Sequence, residues 1–201
     1  MTNTKTLTIL FALSISCATA CGDEVENPDQ KDEEEVITTV ELTLTPQGGG
    51  DAVVASFVDA DGEGGADPVI TNPTLAASTT YDVSVRLLNE TVEASDDDYD
   101  IGAEIAEEAE DHQLFYGGSA VTGGLLTWTY GDVESDYTEN TGDDLPVGLA
   151  GTLTTGAAGT GQLTVTLQHQ PPVNDVLVKT STSGVADGDT DVAVTFEVVV
   201  E

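Results

Sequence analysis

From residue 36 to the C-terminus, apolar and polar positions alternate with a period of two. Val40, Leu42 and Leu44 enclose Glu41 and Thr43, and Tyr81, Val83, Val85 and Leu87 enclose Asp82, Ser84 and Arg86. Leu163, Val165 and Leu167 enclose Thr164 and Thr166, while Val192, Val194, Phe196, Val198 and Val200 carry the pattern to the C-terminus. Successive side chains of a strand point to opposite faces, so this alternation predicts strands with one face on a core and one in water. Shorter runs predict strands over 53–58, 114–116, 125–130 and 149–155, and the Gly-rich stretches 47–50 and 156–161 predict antiparallel connections. Seven or eight short strands without strand–helix alternation predict an all-β fold, an antiparallel immunoglobulin-like β-sandwich.

One segment departs from this period. In IGAEIAEEAEDH, residues 101–112, Ile101, Ile105 and Ala109 fall at helical spacing. Asp98 or Asp100 can cap its start, and acids in the first turns suit the helix dipole. The expectation is one short helix crossing between the sheets, with His112 at its end.

The N-terminus follows different rules. Residues 7–16, LTILFALSIS, form an apolar run too short to span a bilayer, preceded by one basic residue, Lys5. A weakly positive start, an apolar stretch and then small residues read as a secretion signal over 1–20. Ala18, Thr19 and Ala20 lead into Cys21, and this stretch resembles the lipobox of bacterial lipoproteins. Cys17 competes as acceptor, but the chain turns hydrophilic directly after Cys21, which favours the latter. The resemblance implies a lipid on Cys21, whose acyl chains at ~0.8 kcal/mol per buried CH₂ hold the chain on a bilayer.

Residues 21–35 are rich in acid, contain Pro28 and have little to bury, the composition of a flexible tether. Gln30-Lys31-Asp32-Glu33 resembles the Lys-plus-acid export signal of surface lipoproteins of Bacteroidota. The anchor is thereby expected in the outer membrane, with the periplasmic face and the cell surface both open. Residues 36–201 suit a single domain. With Cys17 and Cys21 at the signal boundary and no other cysteine, no disulfide braces that domain.

The order ELTLTPQGGGD, DADGEGG, TTYDVSVRLLNE, EDHQLFY, GLAGTLTTGAAGTGQLTVTLQH resembles a group of small, acidic, functionally uncharacterised lipoproteins of Bacteroidota. The resemblance implies an envelope location and no particular activity. Some members carry the label of a type 1 periplasmic binding fold. This chain is too short and too β-rich for two parallel-sheet lobes.

Charge narrows the partners. Thirty-eight acids against four bases give a net charge of −34, which repels phosphate backbones and excludes nucleic acid as a partner. Solubility in salty water accounts for such a surface, because screening removes self-repulsion there. Cation binding is the sharper alternative. Asp59, Asp61, Glu63 and Asp67, with the turn glycine Gly64, match most of an EF-hand-like loop, but its final bidentate acid is replaced by Ile70 and no helices flank it. Such a segment reads as a strand-to-strand calcium loop or as a turn of solvated acids. The same D-x-D-x-D spacing recurs at Asp187, Asp189 and Asp191, and at Asp96, Asp98 and Asp100.

The chain has two histidines, His112 and His169. If they meet, they supply half of a zinc or copper site, with Glu110 or Asp111. Otherwise one complements a helix dipole and the other finds a carbonyl at the rim of the core. Trp128 and Tyr130 alternate with Thr127 and Thr129, either as core residues or as an exposed carbohydrate platform. Enzyme signatures are missing: Gly117-Gly118-Ser119-Ala120-Val121 lacks the closing glycine of a nucleophile elbow, and Asp111-His112 is not part of HExxH. The expectation is a non-enzymatic structural or binding module, calcium-stabilised or not. A polysaccharide, or an outer-membrane protein docked on a sheet edge, is its candidate partner.

Overall fold

A computed structural model of the chain describes residues 35–62, 64–139, 144–174 and 176–201. The expected signal segment, Cys17, Cys21, the Gln30–Glu33 motif and Glu63 lie outside the described residues. The alternating segments form strands where the pattern places them: β1 (Thr39–Pro46), β2 (Val53–Val58), β5 (Thr80–Leu88), β6 (His112–Gly117), β7 (Leu126–Tyr130), β8 (Ala150–Thr155), β9 (Gly159–His169) and β10 (Asp189–Val200). Two more, β3 (Val69–Thr71) and β4 (Thr74–Leu75), are too short for alternation to register.

The strands make two sheets, ordered β3-β2-β1-β5-β8-β7 and β4-β10-β9-β6. Every ladder between them is antiparallel except β4 with β10. The fold is an all-β sandwich. Its core sets Val40, Leu42, Leu44 and Leu87 of the first sheet together with Leu163, Val165, Leu167, Phe196 and Val198 of the second, all buried. Each fully buried aliphatic side chain contributes about 1.5–3 kcal/mol, so burial can hold this domain without a crosslink.

The helix α1 (Ile101–Glu107) joins β5 of the first sheet to β6 of the second, as the crossing helix was expected to do, with Ile101 and Ile105 buried. It ends earlier than its period suggests. Ala109 keeps its apolar position in the turn that follows, and His112 opens β6 instead of closing the helix, because ladder pairing with β9 begins there. Asp100 occupies the N-cap without a side-chain capping bond, and Asp98 belongs to a preceding 3₁₀ turn. A second short helix, α2 (Ser119–Thr122), returns the chain from β6 to β7. Four residues carry no readable period.

Where β6 and β7 close one side of the sandwich, Tyr116 stacks on Trp128 at 3.5 Å between ring centroids. The Tyr116 hydroxyl donates to the Gly148 carbonyl at 2.6 Å, and the Tyr130 hydroxyl donates to the Leu114 carbonyl at 2.8 Å. Trp128 lines an apolar crevice between the sheets with Leu42, Leu153 and Val198. These aromatics therefore serve the interior, and an exposed sugar platform is not built from them.

Candidate metal centre

β6 begins at His112 and β9 ends at His169, and the antiparallel register pairs these two residues directly. Directly opposed residues point to the same face, so the two imidazoles must meet. Their rings stack with centroids 4.5 Å apart and planes 8° from parallel. His112 is fully buried and His169 half-buried.

The turn after α1 supplies a third group. Glu108 precedes His112 by one helical turn in sequence, and its carbonyl oxygen lies 3.2 Å from His112 Nδ1 while its Oε2 lies 4.0 Å from the same nitrogen. Among the described residues, the buried His112 Nε2 has no hydrogen-bond partner. Glu108, His112 and His169 bring one ligand atom each within 4.8 Å of one another, the one such group of three among the described residues. The expected pairing with Glu110 or Asp111 is corrected to Glu108. Because the helix stops before residue 112, Glu110 faces solvent and Asp111 is half-buried in the turn.

Burial holds the His112 pKa down at about 4, with His169 and then Lys179 adding to the effect against the hydrogen bond that the ring makes to the Glu108 carbonyl. At neutral pH the ring is uncharged, so its approach to Glu108 is not an ion pair. A neutral imidazole is the form that ligates metals. Burial also raises the Asp111 pKa from its ordinary value, with His169 opposing and Glu108 and Glu110 reinforcing.

The surroundings are acidic. Glu35, the first described residue, is half-buried near Glu104, Asp191 and Glu108, and its pKa is pushed up to about 7 by burial first and by those three carboxylates next. Asp191 stands where β10 shifts register against β9, between Thr190 and Val192. Lys179 is the nearby base, but its ammonium is engaged, 2.7 Å from Glu134 Oε1 and 2.6 Å from the Ala109 carbonyl.

The acidic calcium candidates lie elsewhere or apart. Asp59 is half-buried, Asp61 and Asp67 are exposed, and Asp61 Oδ2 accepts the Ala66 amide at 3.0 Å, fastening its own loop. Asp187 Oδ2 accepts the Gly184 amide at 2.9 Å, whereas Asp189 opens β10. Asp96 accepts the Asp98 amide at 3.3 Å. Among the described residues, none of the three acidic sets forms a group of three ligand atoms within 4.8 Å.

Two imidazoles and a carboxylate are donors for Zn²⁺ or Cu²⁺. An ion must lie near the plane of each ring that binds it, and parallel rings place their lone pairs side by side. One ring has to turn for both to reach one ion, and His169 is the less buried of the two. Comparison with family models, with curated proteins and with solved structures finds no match.

Proposed function

We propose that the chain is a lipid-anchored, non-enzymatic binding module of the cell envelope, taking its ligand at the end of the sandwich where Glu108, His112 and His169 meet. The observation that carries the reading is the convergence of both histidines of the chain at one ladder position, beside a carboxylate and close to Glu35. Anchoring rests on the apolar run 7–16 and on Cys21 behind three small residues.

Metabolic labelling with an alkyne analogue of palmitate tests the anchor. Label is expected in the wild type and in Cys17→Ser, with both in the membrane fraction. Loss of label and release into the soluble fraction are expected for Cys21→Ser. A Cys21→Ser chain that still takes label contradicts the assignment.

A further inference from the structure

The geometry points to a divalent transition-metal ion of the zinc and copper class as the ligand of this site, held by Glu108, His112 and His169. The inference rests on the reading of this end of the sandwich as the binding site, and it names the ligand class.

Four observations carry it. The chain has two imidazoles in all, contributed by strands β6 and β9, and the fold places them ring on ring. Glu108 brings an oxygen to within 4.8 Å of one ring nitrogen of each. His112 Nε2 is buried without a partner among the described residues, and leaving a buried polar atom unsatisfied costs on the order of 1–3 kcal/mol. In the tautomer whose Nδ1–H donates to the Glu108 carbonyl, Nε2 carries the lone pair and is the atom left to coordinate an ion. Glu104 and Asp191 add negative potential at the same end, which concentrates cations there.

Calcium is the wrong ion for these donors. It takes six to eight oxygens, whereas two nitrogens and a carboxylate favour the borderline metals, with copper above zinc in affinity. Three protein ligands leave a coordination position for water or for a ligand from a partner, the pattern of an exchangeable site rather than a closed structural one. Binding turns His169 off the His112 ring, since His112 is packed on all sides and His169 is not.

The test is a titration of the folded chain with zinc alone and with copper alone, by calorimetry in about 0.15 M salt with millimolar calcium present to occupy exposed carboxylates. The wild type is expected to bind one equivalent of either ion. His169→Ala, at a half-buried position the fold tolerates, is expected to bind at least about tenfold more weakly, as is Glu108→Gln. Asp98→Asn, in the 3₁₀ turn before α1, leaves affinity unchanged. The His169 ring resonances should shift with zinc, which a purely structural stack would not require. One-equivalent binding that survives in both His169→Ala and Glu108→Gln, or folded wild type that takes up no stoichiometric ion, overturns the proposal. Absence of metal binding in a chain that still takes palmitate at Cys21 overturns the metal assignment alone, and zinc bound by a chain without lipid contradicts only the anchor.

Discussion

Lys179 Nζ lies 2.7 Å from Glu134 Oε1, with both side chains almost wholly buried, and the same ammonium donates to the Ala109 carbonyl at 2.6 Å. In a chain with four basic residues, one is thus spent inside, tying the connection between β9 and β10 to the turn that positions Glu108 and His112. Burial lowers the Lys179 pKa and the Glu134 carboxylate raises it back, so desolvation outweighs the pair. Removing one partner leaves the other charge buried. Lys179→Met is expected to cost about 3–5 kcal/mol in urea unfolding, and adding Glu134→Leu should recover a large part of it.

His112 sets an acid limit. Its folded-state pKa is depressed to about 4 from the ordinary 6.5. The resulting stability is fully present above pH 6.5 and is lost as the pH falls through 4, because the unfolded chain takes up the proton first. The contribution is on the order of 3 kcal/mol. In chelator-treated protein, the stability difference between wild type and His112→Gln should shrink by that order between pH 7 and pH 4. A constant difference contradicts the burial of a neutral ring.

Glu35 acts in the opposite direction. Its pKa is raised to about 7, so the stability it contributes is present below pH 4.5 and lost as the pH rises through 7. Glu35→Gln removes the charge that burial and the Glu104, Asp191 and Glu108 carboxylates oppose. The variant should melt higher than the wild type at pH 8 and equally at pH 4.

Gly151 packs under the only tryptophan. A Cβ there would lie 2.5 Å from Trp128 Cζ2 and 2.6 Å from the Thr129 carbonyl oxygen, the latter a backbone atom that cannot step aside. Gly151→Ala is expected to destabilise by about 1–3 kcal/mol and to change Trp128 emission in the folded state. Unchanged fluorescence and stability would mean that Trp128 is not stacked inside the sandwich.

The long strands were legible because each buries one face, and Val40, Leu42 and Leu44 or Leu163, Val165 and Leu167 write that burial directly into the sequence. Val69–Thr71 and Thr74–Leu75 were not, since two or three residues paired at a sheet edge leave no period. The crossing helix was visible in Ile101 and Ile105, but its end was not. Ala109 keeps the helical spacing while ladder bonds to β9 take over at His112, a long-range effect that a local pattern does not contain. That misplaced end also hid Glu108, although its spacing of four from His112 was available. The pairing of His112 with His169 depended on strand register across the chain. The sequence marked both residues but not their contact. The Lys179–Glu134 pair had no local signal, as both residues stand in irregular or 3₁₀ segments.

X-ray absorption at the metal edge of the copper- or zinc-loaded chain tests the central claim most directly. The account predicts two imidazole nitrogens at about 2.0 Å with carboxylate or water oxygen completing the shell, and one imidazole fewer in His169→Ala. A shell of oxygen alone, unchanged by His169→Ala, would place the ion on the acidic surface and contradict a centre built on the two histidines.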